Sequence, residues 1–95
     1  MELFTDEERA EILRTQLNTA GIDCLDKIYR WTKADRNPHF FPHILKRISN
    51  YNKGLKQLMQ KGFVYLVRST GPYRILPDGI RVGGLIIELK ELKVL

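Results

Sequence analysis

Between Asp35 and Asp78 the chain carries eight basic residues, Arg36, Lys46, Arg47, Lys53, Lys56, Lys61, Arg68 and Arg74, and no acidic one. Cations without carboxylates among them suit phosphate, and amides set between them can read base edges by donating and accepting in pairs. Asn50, Asn52, Lys53, Lys56 and Gln57 supply that combination, with Lys46 and Arg47 just ahead of it. Arg68 and Arg74 flank Ser69-Thr70-Gly71-Pro72, a turn sequence. The rest of the chain holds eight basic against eleven acidic residues, so the net charge of +5 conceals a basic middle between mildly acidic ends. A polyanion is the first partner such a distribution suggests.

Other chemistries find less support. His39 and His43 are four apart, and Cys24 is a third soft ligand, but Pro42 stands between the histidines and no second cysteine is present, so no metal site is expected. Trp31, Tyr29, Phe40 and Phe41 suggest base stacking, although aromatics in a small domain usually serve the core; Trp31 lies off the apolar stripe of its segment and is expected to be exposed. There is no GxSxG, no glycine-rich phosphate loop and no credible Cys/His pair. The acids cluster at the first helix, where capping and the helix dipole account for them. No enzyme and no cofactor are expected.

The elements that must position these groups follow from periodicity. Thr5 and Glu8 form a capping-box pattern. Ala10, Ile12, Leu13, Leu17 and Ala20 then recur at helical spacing up to Gly21, predicting a helix over about 6–20. Asp23 suits the cap of a second helix over about 24–34. Asp35 to His39 reads as a loop, because Asn37-Pro38 disfavours helix. Phe41, Ile44, Leu45, Ile48, Tyr51, Leu55, Leu58 and Met59 mark an apolar stripe that ends at Gly62. One helix over 42–61 is preferred; the alternative breaks it at Ser49-Asn50. Phe63 to Arg68 and Tyr73 to Leu76 alternate like paired strands. Beyond them, Val82, Leu85, Ile86, Leu89 and Leu92 favour a helix over about 80–93, with a third strand at Ile80-Arg81-Val82 as the alternative, since Gly83-Gly84 weaken a helix.

Ninety-five residues, 43% hydrophobic and 28% charged, suit one folded domain. No apolar run approaches membrane-spanning length, and Met1 to Glu8 has no apolar signal core, so a cytoplasmic protein is expected. A single cysteine excludes an internal disulfide.

The order of helix, helix, basic helix, hairpin and helix is similar to that of the winged helix-turn-helix domain, most closely over residues 49–89. The run from Leu55 to Val64 resembles the end of a recognition helix entering the first wing strand: Leu55 and Leu58 stand three apart, and Gly62 precedes the apolar strand. The run from Tyr73 to Gly79 resembles the return from the wing, except that Leu76 stands where the family carries a capping threonine. Small regulators of the MarR and PadR type share this layout. The resemblance implies an α+β, mostly helical winged-helix fold and a transcription regulator of double-stranded DNA. Lys46, Arg47, Asn50, Asn52, Lys53, Lys56, Gln57, Arg68 and Arg74 are the expected contacts, with the third helix in the major groove and the hairpin on the backbone or minor groove. It further implies a homodimer through Val82, Leu85, Ile86, Leu89 and Leu92. A winged helix used for protein–protein contact in a larger assembly is the competing expectation.

Overall fold

The computed structural model describes residues 4–69 and 71–95. Thr70 of the turn and the first three residues lie outside the described residues. The first helix, α1 (Asp6–Gln16), begins with the expected capping box. Thr5 Oγ1 accepts from the Glu8 N–H at 3.1 Å, and the Glu8 carboxylate accepts from the Thr5 N–H at 3.0 Å. Hydrogen bonding to the Thr5 backbone, then to its side chain, holds the Glu8 carboxyl below its ordinary range.

The boundary expected at Gly21 falls instead at Leu17-Asn18. Asn18 Oδ1 accepts from the Gly21 N–H at 2.7 Å and caps α2 (Thr19–Asp35), so Gly21 lies buried in the first turn and Asp23 within the helix. An asparagine able to satisfy an orphan donor outweighs a glycine whose missing side chain serves packing. Arg36, in the left-handed region at φ 53°, closes α2.

The predicted loop, Asp35 to His39, ends in a short strand, β1 (His39–Phe40). A 3-10 turn (Pro42–Leu45) follows, and then α3 (Tyr51–Gln60). Residues 42–61 are therefore not one helix: Asn50 adopts φ 60° and breaks the run, a conformation asparagine tolerates better than most residues. Gly62, at φ 76°, ends α3, with the Phe63 N–H returning to the Leu58 carbonyl at 2.9 Å. Strands β2 (Val64–Leu66) and β3 (Tyr73–Ile75) form the hairpin, and β1 pairs antiparallel with β3 to give a sheet of order β1-β3-β2. The last helix, α4 (Pro77–Glu91), starts earlier than expected, with Pro77 in its first turn and Leu76 at the cap position contributing no side-chain bond. The described residues are thus α+β and mostly helical, with four α-helices and one three-stranded antiparallel sheet. None of those helices is long and apolar enough to cross a membrane.

The core is organised around α2. Cys24, Leu25 and Ile28 are fully buried there, in one cluster with Leu55 and Leu58 of α3, Ile86 and Leu89 of α4, and Phe40, Leu45, Val64 and Ile75. Burial, and then the charge of Asp23, push the Cys24 thiol up to about 11, so it is a packing group and not a nucleophile. Helix α3 reaches α2 closely because Gly54 lacks a side chain: a Cβ there would lie 2.5 Å from the Ala20 carbonyl oxygen and 2.9 Å from Cys24 Sγ. On the other flank Tyr29 packs over Gly83, which explains a glycine inside α4.

The expected dimer stripe is largely consumed by this core. Val82, Ile86 and Leu89 are buried within the chain itself, Leu85 is half-buried, and Leu92 is exposed. Helical spacing identified an apolar face, and Val82, Ile86 and Leu89 of that face are already buried within one chain.

Lys90 Nζ of α4 lies 2.6 Å from Asp26 Oδ2 and 3.5 Å from Asp23 Oδ1 on α2, and Arg30 Nε holds the other Asp26 oxygen at 2.6 Å. Burial acts to raise the Asp26 pKa, but the bonds and charges of Lys90 and Arg30 together outweigh it and leave the carboxyl below its usual range.

Two stability measurements follow from these contacts. Gly54→Ala gains about 1 kcal/mol of helix propensity, yet overpacking against Ala20 costs about 1–3 kcal/mol beyond that gain; urea denaturation is expected to show a net loss. Asp26→Asn is expected to cost about 1–3 kcal/mol at neutral pH, the scale of hydrogen bonds to charged groups. Because the folded-state pKa is lowered, the advantage of the native aspartate exists above the unfolded value of about 3.9 and fades as pH falls through the folded one. Denaturation curves of wild type and D26N are therefore expected to converge below that pH.

Candidate nucleic-acid interface

Packing of Gly54, Leu55 and Leu58 against the core turns the opposite side of α3 outward. Asn52, Lys53 and Lys56 are exposed there, and Gln60 and Lys61 continue the surface. Lys46 and Arg47 are exposed on the turn before α3, and Asn50 is exposed at its start, making no side-chain cap bond. The break at Asn50 thus gives the basic surface two parts, a turn and a helix face.

Gln57 does not belong to that surface. Its Oε1 accepts from the Asn18 N–H at 2.9 Å, and its Nε2 donates to the Gln16 carbonyl at 3.4 Å. The side chain joins α3 to the α1–α2 junction by satisfying backbone groups that the break between those helices leaves open, and it is not free to read a base.

The two hairpin arginines are also separated. Arg68 is exposed in the β2–β3 connection, where its carbonyl accepts from the Gly71 N–H at 2.8 Å. Arg74 lies within β3, opposite Tyr65 on one side and His39 on the other, so it is exposed on the outer face of the sheet and not at the hairpin tip.

Electrostatics separates this region from the rest. The cations held in ion pairs, Arg9, Arg30, Arg81 and Lys90, all lie outside residues 36–77. Among the described residues, none of the eight cations from Arg36 to Arg74 has an acidic partner. The basic middle of the sequence is therefore a set of unneutralised charges, available to an external anion.

The metal-ligand types remain apart. Cys24 is fully buried and its thiol points to the Tyr51 carbonyl at 3.6 Å, whereas His43 is exposed with its ring at the edge of Trp31. His39 Nδ1 lies 3.2 Å from Asn37 Oδ1. Trp31 is exposed as expected, and so is Phe41, which the periodic stripe had assigned to the core. Sequence reasoning passed over Tyr65; strand alternation between buried Val64 and half-buried Leu66 marks it as outward-facing.

Compared with known proteins, the chain matches no protein-family model, and no curated protein or solved structure is significantly similar to it.

The two roles on α3 are separable by mutation. Gln57→Ala is expected to lower stability by about 1–2 kcal/mol through lost hydrogen bonds to backbone, whereas Lys53→Ala should change it by less than about 0.5 kcal/mol. Equilibrium urea denaturation distinguishes the two.

Proposed function

We propose that this chain is a winged helix-turn-helix domain that binds double-stranded DNA as a non-catalytic transcription regulator in the cytoplasm. The observation that carries the reading is the set of eight cations from Arg36 to Arg74, none with an acidic partner among the described residues. The element order supports it: helix α2, strand β1, a 3-10 turn, helix α3 and a hairpin, with the sheet ordered β1-β3-β2.

In this reading α3 enters the major groove. Asn52 offers an amide to base edges, and Lys53 and Lys56 reach bases or the flanking phosphates. Lys46, Arg47 and Asn50 meet the backbone at the start of α3, and Arg68 on the hairpin reaches the neighbouring backbone or minor groove. Regulation is by occupancy, a bound domain obstructing or recruiting polymerase. A homodimer on a palindromic site would use surface other than Val82, Ile86 and Leu89, which are already buried, with Leu85 and Leu92 the members of the stripe left to it.

Fluorescence anisotropy with labelled duplex tests the proposal. Neutralising four to six phosphates predicts a slope of roughly −4 to −5 in log K against log salt. Lys53→Glu combined with Lys56→Glu should weaken binding at least tenfold and leave the thermal melt unchanged. Absence of binding to a pool of random duplexes at about 50 mM salt, where electrostatic binding is strong, overturns the reading.

A further inference from the structure

The outer face of the sheet is a second distinctive surface. The register sets His39, Arg74 and Tyr65 in one row across all three strands. In the next row the Val67 N–H bonds the Pro72 carbonyl at 2.9 Å, and the Phe41 ring lies against Gly71. Phe40 is buried, so strand alternation turns Phe41 outward beside His39. Phe41 is 48% exposed, Tyr65 42% and Val67 38%. The aromatic surface continues beyond the sheet edge, because the His43 ring stacks on Phe41 at 6.4 Å and meets Trp31 edge-on at 6.5 Å. Three of the four exposed aromatics among the described residues, Trp31, Phe41 and Tyr65, therefore share this surface.

We propose that this face binds an unpaired nucleic-acid strand, its bases stacking on Phe41, Tyr65 and Trp31 and its phosphates meeting Arg74 and Arg68. The three strands carry no acid, and neither Arg74 nor Arg68 has an acidic partner among the described residues. A flexible strand presents a flat apolar base and an anion in every unit, which matches alternating aromatic rings and unneutralised guanidinium groups. A duplex does not match them, since its base faces are hidden in the stack. Outward aromatics on an antiparallel sheet are a geometry suited to splayed bases. The aromatic residues of this surface are not among those proposed to meet duplex DNA through α3. Arg68 alone is common to both, so the two readings are distinguished at Phe41 and Tyr65 on one side and Lys53 and Lys56 on the other.

Trp31 is the only tryptophan, and its fluorescence reports on this face alone. The full chain is titrated with single-stranded oligothymidylate about ten nucleotides long, within the site size typical of such surfaces, and separately with a closed hairpin duplex. Oligothymidylate is expected to quench Trp31. Phe41→Ala and Tyr65→Ala are each expected to weaken that binding about tenfold, the size of one lost base stack, with duplex affinity unchanged. The Lys53→Glu, Lys56→Glu double variant is expected to lose duplex binding and keep the quenching, which separates failure here from failure of the α3 reading. Both aromatic variants replace exposed side chains, and unchanged thermal melts verify the fold. Absence of quenching at about 100 μM strand, where even weak binding is detectable, overturns the proposal, as does quenching that survives both aromatic substitutions. Self-association in sedimentation that Phe41→Ala abolishes, without oligonucleotide binding, also overturns it and gives the face to a second copy of the chain.

Discussion

The contact on which the rest depends is the close approach of α3 to α2, with Gly54 seated over the Ala20 carbonyl and Cys24. At that separation Leu55 and Leu58 join Cys24, Leu25 and Ile28 in one core, and the rotation of α3 about its own axis is fixed. Asn52, Lys53 and Lys56 face solvent as a consequence. Gln57, one step round the helix from Lys56, is carried to the α1–α2 junction and takes up its open backbone groups. A single absent methyl group thus determines both which polar residues are spent on the fold and which are left for a partner.

Much of the local chemistry, acting over three or four residues, was readable from the sequence. The Thr5–Glu8 box, the stop at Gly62, the two hairpin strands and the apolar face of α4 all follow from such short-range rules. Most of what escaped depended on partners remote in the chain, the cap of α2 by Asn18 being a local exception. Strand β1 is two residues long and exists because β3 offers it a ladder; nothing in Asn37-Pro38-His39-Phe40 announces it. Gly21 resembled a helix stop until Asn18 proved the better cap. The stripe on α4 had the right period, but periodicity does not say what covers an apolar face, and Val82, Ile86 and Leu89 are covered within the chain's own core. In the candidate site, the exposure of Lys46, Arg47, Asn50, Asn52, Lys53, Lys56 and Arg68 was legible from polarity and spacing. Gln57 was not, because an amide bonded to backbone remote in the chain and a solvated one have the same sequence signature.

The charges show a division between structure and surface. Asp6 and Glu88 hold Arg9, and Asp26 holds Arg30 and Lys90, tying α1 and α2 to α4. These pairs lie in the acidic ends of the chain. The middle of the chain contributes its apolar side chains to the same core, while its cations have no acidic partner among the described residues. Stability and surface potential are thereby drawn from different residues, and the potential can change with little effect on the fold.

Helix α3 has ten residues, so at about 1.5 Å per residue it is roughly 15 Å long. Its outward positions from Asn52 to Gln60 span about 12 Å, under four base steps at roughly 3.4 Å each. With four distinguishable pairs at each step in the major groove, a word of that length recurs about once in 256 positions. Under the duplex-DNA reading, the shortness of the helix, set by Asn50 at one end and Gly62 at the other, is an upper bound on the information one chain can extract. A unique address in a genome would then be written as several short words and read by several chains or by added contacts, with each chain contributing a syllable.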